Sequence, residues 1–508
     1  MYAPEVMGKR LRRRAFLRLS GASAVGASLP LVLEGRASAA GYGALVPDPA
    51  DVLSLPAGFS YKILQMQGDP MDDGYRVPGK PDGMFAFAGP NGALVLMRNH
   101  EQFPGDIATG PYAMGQQPPP EAYDPLAMGG VTRLVVDATT LERVSSNLVL
   151  AGTTRNCAGG PSPWGWFSCE EDVSPNHGYV FLCSTDATSV QPPQRIVSYG
   201  RFNHEAVAFD PVTNIAYMTE DRSDGCLYRF APTVKDMPFD GKLQAMKVVG
   251  QPGLDTSKDV PVGQVLDVEW VDIDDPDPVT DDIRKQAAAK GAALLNRAEG
   301  AVFAEGAVWI ASTNGGPVGA GQVFRMTPGA DGDKFELLAQ SPDKAVLENP
   351  DNITVAPSGE VFLVEDGTGG NFIRGVSPEG VIFDFARPKS FTELAGVCFA
   401  PDGKTMFFNM LTDGLTVAVT GPFGAASSTS ASSASSSSAS GSGGAGGADV
   451  TGAVAASGAG ALGRDVRGIA MEGTGCNLAG ADAKRAWLGA AAIGGLAGLA
   501  LGIRRRRR

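Results

Sequence analysis

The chain has 508 residues, of which 43% are hydrophobic and 19% are charged, so a large buried core is possible and a disordered chain is excluded. The 67 glycines and 36 prolines argue against long helical bundles, because both residues break helices. The net charge of −13 is uneven: residues 1–40 carry +5, residues 481–508 carry +6, and residues 41–480 carry −24. So acidic a body argues against nucleic-acid binding and is compatible with hard cations such as Ca²⁺ or with acidic solubility alone.

The first 40 residues have the organisation of an export signal. Arg12–Leu17 supplies a charged head, Leu19–Leu33 is a weakly apolar run, and Ala37–Ala40 contains only small residues. The paired arginines before Phe16 and Leu17 resemble the twin-arginine signal, which implies export of the folded protein by the twin-arginine machinery. A standard export signal with additional arginines is the alternative.

The C-terminal part is predicted to be a linker and an address. Residues 424–475 are rich in Ser, Gly and Ala and cannot bury a core. Ala486–Ile503 has 18 residues without a charge, enough to cross a hydrocarbon layer of ~30 Å, and Arg504–Arg508 form a basic stop. Together with Cys476, this arrangement resembles the myxobacterial C-terminal sorting tag. That resemblance implies processing near Cys476 and display on the cell surface.

The body, residues 41–423, contains a recurrent strand–turn–strand unit with polar residues at both ends. Clear copies begin at Glu205, Glu299, Pro350 and Glu393, and a weaker one begins at Met84. Repeats at this scale are typical of propellers. The body is therefore predicted to be all-β, a single β-propeller of about six blades with loop and helix insertions, the helix lying within 281–296. A two-sheet sandwich would be too small for this length.

Acidic residues recur at the ends of these predicted strands. In a propeller the beginnings of the inner strands point into a central funnel, so the acids would converge there. Like charges in one funnel are costly unless cations neutralise them. A cation site is therefore predicted inside the funnel.

The segment Asn156–Glu171 is the densest in candidate chemistry, because a loop rich in Gly, Pro and Trp can hold a thiolate rigidly. Cys157 could form a disulfide with Cys169 or ligate a borderline metal such as iron, and residue chemistry leaves both open. The chain has only three histidines, which argues against a His-rich zinc site.

The same segment closely resembles the signature of PhoX-type alkaline phosphatases. The similarity extends from about Asp51 to Pro422, and Ala298 stands where the family has proline. Other segments that resemble the family are Asn99–Glu101, Arg201–Ala206, Thr219–Arg222, Gly225–Phe230 and Arg297–Gly300.

The resemblance implies a six-bladed propeller that binds iron and calcium and hydrolyses phosphate monoesters with an oxo or hydroxide nucleophile, not a protein nucleophile. Under this resemblance, Arg297 grips the phosphoryl oxygens. The implied metal ligands, with Cys157 on iron, are Cys157, Glu170, Glu171, Glu205 and Glu299.

Six further residues are weaker candidates for the site: Asn156, His204, Glu101, Asp351, Asn352 and Glu365. Structural explanations exist for several of them. His204 fits a core histidine slightly better than a group that orients a ligand. For Asp351 and Asn352 the alternative is that they shape a turn and have no role in the site.

Two other functions are compatible with the sequence, a calcium-dependent propeller hydrolase of lactonase type and a non-catalytic binding propeller displayed on a stalk. The expected partners are small phosphate esters and the export machinery. A monomer associated with the cell surface is expected.

Overall fold

The computed structural model describes residues 41–258 and 260–424. The predicted export signal, nearly all of the predicted linker, Cys476 and the apolar segment Ala486–Ile503 lie outside the described residues. Within the two described ranges, no helix is both long and apolar enough to cross a membrane.

Strands make up almost all of the regular structure. The first fourteen are β1 Leu45–Val46, β2 Leu53–Pro56, β3 Ser60–Met66, β4 Pro81–Ala88, β5 Ala93–His100, β6 Gly129–Asp137, β7 Arg143–Thr153, β8 Asn156–Ser162, β9 Gly165–Glu170, β10 Val180–Cys183, β11 Arg195–Ile196, β12 His204–Phe209, β13 Ala216–Glu220 and β14 Tyr228–Pro232. The others are β15 Gly241–Val248, β16 Val265–Asp272, β17 Ala298–Ala304, β18 Ala307–Ser312, β19 Gln322–Thr327, β20 Asp333–Gln340, β21 Pro350–Val355, β22 Val361–Glu365, β23 Ile373–Val376, β24 Ile382–Pro388, β25 Leu394–Phe399, β26 Thr405–Met410 and β27 Leu415–Thr420. The α-helix described, α1, spans Ile283–Ala289, and 3₁₀ turns lie at Pro90–Gly92 and Val197–Tyr199.

The strands form antiparallel meanders in five sheets. Strands β4–β7 and β8–β11 each make a four-stranded sheet. Two meanders, β12–β15 and β17–β20, are joined edge to edge by β16 into one nine-stranded sheet. The meander β21–β24 is extended by β2 and β1, and β25–β27 take β3 as their fourth strand. Hydrophobic clusters between these sheets form the core.

The first strand of each meander lines a central funnel. In chain order, each first strand contacts the next, and the last contacts the first; these strands are β4, β8, β12, β17, β21 and β25. The N-terminal strand β3 pairs with β27 and so completes the last sheet. The arrangement is propeller-like, which confirms the predicted all-β class. The helical insertion falls inside the predicted segment but is shorter, because Gly291 adopts a φ of +80° just beyond α1.

The first strands approach one another closely near their starts. Each has a register irregularity after its first or second residue. Glycines lie near the starts of several first strands, because the backbone of a neighbouring strand packs directly against them. A Cβ at Gly83 would overlap Ala158, one at Gly160 would overlap the carbonyl oxygen of Val207, and one at Gly300 would approach Asn352.

We expect Gly160→Ala to lower the free energy of unfolding by about 1–3 kcal/mol, because the added methyl group must displace backbone in the funnel wall. Chemical denaturation measures this change. Gly105→Ala is the matched control, since no heavy atom lies within 4 Å of a Cβ there. Equal stability of the two variants would contradict close packing of β8 against β12.

Candidate metal centre at the funnel mouth

The funnel mouth is the end of the ring where the first strands begin and the second strands end. Antiparallel pairing puts these ends together, as in His204 opposite Glu220 and Asn156 opposite Glu170. Side chains from equivalent positions of successive meanders therefore meet here. The second positions of the first strands are Asp82, Cys157, Glu205, Glu299, Asp351 and Ala395. The positions directly after the second strands are Glu101, Glu171, Asp221, Thr313, Asp366 and Leu411.

Two groups of buried ligand atoms meet at this mouth. Cys157, Glu171 and Glu205 each offer one atom within 4.8 Å of the others, and Glu205, Glu299 and Asp351 do the same. Glu205 belongs to both groups and therefore joins them into one continuous site. Among the described residues, these are the clusters with the geometry to hold a metal ion.

Burial makes the negative charge at this site costly. Burial first, and neighbouring carboxylates second, raise the pKa values of Glu205, Glu299 and Asp351 well above the ordinary range. The pKa of the Cys157 thiol is also raised, by burial and then by Glu205 and Glu171. At neutral pH this donor set therefore favours bound cations, which would neutralise the carboxylates and stabilise a thiolate.

Two arginines partly neutralise the acids. Arg297 donates from Nε to Asp221 (2.8 Å) and from Nη2 to Asp221 (3.1 Å) and Glu299 (2.6 Å). Arg155 donates to Glu101 (3.3 Å) and forms an ion pair with the Glu171 carboxylate. Both arginines occupy the position directly before a first strand, which aims them at the mouth.

Of the weaker candidates, Asp351, Asn352 and Glu101 lie at the mouth, whereas His204 lies in the core. Asp351 lies in the second cluster, and Asn352 donates to it over 2.9 Å. Glu101 reaches the mouth beside Arg155. His204 is fully buried, its Nε2 bonds the Gly200 carbonyl (2.9 Å), and burial lowers its pKa to about 3, which fits a core histidine.

The structure does not bring Glu170 or Glu365 into these clusters. Glu170 accepts hydrogen bonds from His177 Nδ1 (2.7 Å) and the Gly178 amide (3.0 Å), which ties the next loop to the end of β9. Glu365 pairs with the Arg374 guanidinium over 2.8 Å, at the equivalent end of β22.

Asn156 accepts a hydrogen bond from Thr153 at the end of β7 (2.7 Å) and donates one to Ser168 on β9 (2.9 Å), which joins two neighbouring sheets. Cys157 and Cys169 are free, buried thiols, so the disulfide alternative is not formed in this structure.

Four acids at the mouth were not among the sequence candidates: Asp82, Asp221, Asp366 and Glu393. Burial and the crowded carboxylates raise the pKa of Asp82 well above the ordinary range, that of Glu393 to about 8 and that of Asp366 to about 6. The signal was available, because Asp221 and Asp366 follow second strands just as Glu171 does.

Fold and site together define a propeller-like protein with a buried, acidic centre suited to metal ions. A family model described as alkaline phosphatase PhoX matches residues 40–149 and 140–414. The chain therefore belongs to the alkaline phosphatase PhoX family and is an enzyme of that class. A search of curated proteins gave no match.

Several solved structures are similar to this chain. PhoX of Pseudomonas fluorescens, in complex with the transition-state analogue vanadate, has 18% identity and a TM-score of 0.60, over 73% of this chain and 96% of that chain. A gluconolactonase of Xanthomonas campestris has 11% identity and a TM-score of 0.38, over 75% and 100%. A virginiamycin B lyase of Staphylococcus aureus has 12% identity and a TM-score of 0.35, over 71% and 99%.

Adjacent residues Glu170 and Glu171 give a matched test of the site. We expect Glu171→Gln to lose bound metal while the metal-free protein keeps its stability within about 1 kcal/mol, because a crowded buried charge is removed. Glu170→Gln should keep its metal and lose about 1.5–3 kcal/mol, since a charge-assisted hydrogen bond is removed. Metal analysis and chemical denaturation of both variants decide this. Loss of metal in Glu170→Gln together with loss of stability in Glu171→Gln would contradict the proposed positions of the two residues.

The raised pKa values also predict how the metal-free protein responds to pH. The pKa of Glu393 is raised from its ordinary value of 4.5 to about 8. Between pH 4.5 and pH 8 the folded state therefore holds more protons than the unfolded state. Stability should therefore fall as pH rises through this window, and the Tm in chelator should be at least about 5 °C lower at pH 8 than at pH 5.

Added Ca²⁺ should reverse this loss at pH 8, and Glu393→Gln should reduce the pH dependence of the metal-free protein, to which the other mouth acids also contribute. A metal-free protein that is as stable at pH 8 as at pH 5 would show that the acids are not crowded as described.

Proposed function

We propose that this chain is an exported, metal-dependent phosphatase that hydrolyses phosphate monoesters at the funnel mouth. The observation that carries the proposal is the pair of buried clusters joined by Glu205, with the Arg297 guanidinium 2.6 Å from Glu299. The Pseudomonas relative binds vanadate, a transition-state analogue, and a phosphoryl group in this chain would lie beside these clusters and next to Arg297. Six four-stranded meanders around the funnel support a six-bladed propeller.

The donor chemistry supports iron and calcium as the metals. A thiolate at Cys157 suits iron, whereas carboxylates at Glu299 and Asp351 suit Ca²⁺. Glu171 and Glu205 would complete the ligand sets. When bound, the metal ions supply Lewis acidity at a phosphoryl oxygen and activate the attacking water.

The chain itself would bind and orient the ester. In the described residues, Arg297 Nη1 has no hydrogen-bond partner, while Nε and Nη2 are held by Asp221 and Glu299. Asp221 therefore fixes the plane of the guanidinium, so that the free edge can bind phosphoryl oxygens as their charge develops. Hydrolysis adds one water across the P–O bond and releases an alcohol and orthophosphate.

No hydroxyl nucleophile is required from the protein. Thr313, the hydroxyl beside Glu299, donates to Glu299 (3.0 Å) or to the Pro350 carbonyl (2.9 Å) and is held in the funnel wall. A calcium-only hydrolase would leave Cys157 without a role, although it lies in a ligand cluster. The phosphatase is therefore the better account of the site.

The terminal segments extend the proposal to location. Residues 1–40 would direct export by the twin-arginine route, residues 41–423 would form the catalytic body, and residues 424–475 would separate it from the cell surface. The segment 476–508 would anchor the chain or be processed near Cys476. The body would act as a monomer.

The direct experiment is hydrolysis of p-nitrophenyl phosphate by the purified full chain, with iron and calcium analysis of the same sample. Turnover that disappears on chelation and returns with these metals supports the proposal. Absence of turnover in a fully metal-loaded sample would contradict it.

We expect Arg297→Lys to lower kcat by roughly 10²–10³ while metal content is retained, because lysine offers a point donor in place of a planar fork. Steady-state kinetics and metal analysis measure both effects. Near-normal turnover would exclude the phosphoryl-binding role. Loss of metal together with turnover would show that Arg297 only neutralises neighbouring acids.

A further inference from the structure

Three cations at the mouth share one unusual backbone conformation. Lys80, Arg155 and Arg297 each stand directly before a first strand and have φ values of +45°, +46° and +47°. This left-handed region is unfavourable for residues with long side chains, and such strain is characteristic of functional sites. Arg297 has a role in the proposed function, whereas Lys80 and Arg155 have none yet.

Lys80 and Arg155 converge on a single aromatic ring. Lys80 Nζ lies 4.5 Å from the centre of Phe103, and the Arg155 guanidinium carbon lies 5.3 Å from it. Phe103 is 40% exposed and the side chains of Lys80 and Arg155 are 31% and 27% exposed, so the pair is partly accessible to solvent. Asp106 holds Lys80 Nζ at 2.8 Å and fixes the position of the amine.

The pair and Arg297 occupy neighbouring parts of the mouth. Along the ring of first strands, β4 and β8 follow Lys80 and Arg155, β12 comes next, and β17 follows Arg297. One substrate could therefore contact the pair with one phosphate group and Arg297 with another. Arg155 Nε is held by Glu101, Nη1 by the Glu171 carbonyl and Nη2 by the Glu171 carboxylate, so the binding of a metal ion by that carboxylate would make Nη2 available to an anion.

We propose that Lys80 and Arg155 form a second anion site, which binds a second phosphate group on the leaving side of the substrate. This inference rests on the proposed function and narrows its substrate class to esters with two phosphate groups. One phosphate lies at Arg297, and the other lies at the Lys80–Arg155 pair. Hydrolysis breaks one P–O bond, consumes one water, and yields orthophosphate and an alcohol monophosphate that leaves from the pair.

The test compares two substrates that differ in one phosphate group, propane-1,3-diol monophosphate and bisphosphate, with the metal-loaded full chain. We expect kcat/KM to favour the bisphosphate about tenfold, beyond the statistical advantage of its two ends, because a charge-assisted contact is gained. Lys80→Gln should remove most of this preference, and Lys80→Arg should retain it. Lys80 is chosen because its ion pair does not involve a proposed metal ligand.

Lys62→Gln is the matched control. Lys62 lies on β3, away from the mouth, has similar exposure to Lys80 and forms an ion pair with Glu142 (2.6 Å). It should keep the wild-type ratio. A wild-type chain without preference, or a Lys80→Gln variant with an unchanged ratio, would overturn the second anion site.

Binding separates this inference from the proposed function. Calorimetric titration with propane-1,3-bisphosphonate and propylphosphonate, which cannot be hydrolysed at an ester bond, should show tighter binding of the bisphosphonate. Loss of that difference in Lys80→Gln supports the second anion site even if neither ester is hydrolysed, in which case only the proposed function fails. Equal binding of both phosphonates by the wild-type chain would overturn the inference.

Discussion

Buried negative charge is the constraint on which the funnel depends. Of the six second positions of the first strands, four are acids and one is a thiol, and the pKa values of all five are raised, first of all by burial. Arg155 and Arg297 neutralise only part of this charge. Cation binding is therefore coupled to folding, because ions that bind the assembled funnel and not the unfolded chain stabilise the fold by mass action. Stability and chemistry share one set of residues.

The alternation of side chains along a strand divides this charge between two tasks. Three second strands end in consecutive acids, Glu170–Glu171, Glu220–Asp221 and Glu365–Asp366. The first member of each pair is held by partners within the structure, as Glu220 is by the Tyr228 hydroxyl at 2.7 Å. The second member lies at the mouth. Successive side chains of a strand point to opposite faces, so of two adjacent acids one fixes a loop and the other is available to a ligand.

The repeated hairpins predicted the all-β class, and the resemblance to PhoX-type alkaline phosphatases supplied most of the ligand candidates. Cys157, Glu171, Glu205, Glu299 and Asp351, all candidates there, meet at the mouth. The choice between Glu170 and Glu171 could not be made, because the phase of β9 depends on its pairing with β8. Asp82 was missed because the weaker repeat was read from Met84, whereas β4 begins at Pro81. The roles of Lys80 and Arg155 depend on backbone φ values, which no residue pattern encodes.

The pairing of β3 with β27 limits when the last sheet can be completed during folding. These strands are separated by about 350 residues, so β3 is synthesised early and has no partner until β27 has been synthesised. Closing so long a loop lowers the conformational entropy of the chain before the stabilising strand contacts have formed, which makes such pairings slow. Until the two strands pair, each is an open edge that can pair with other chains. Closure of the ring is therefore a late step of folding, and the interval before it is when these edges are most exposed to aggregation.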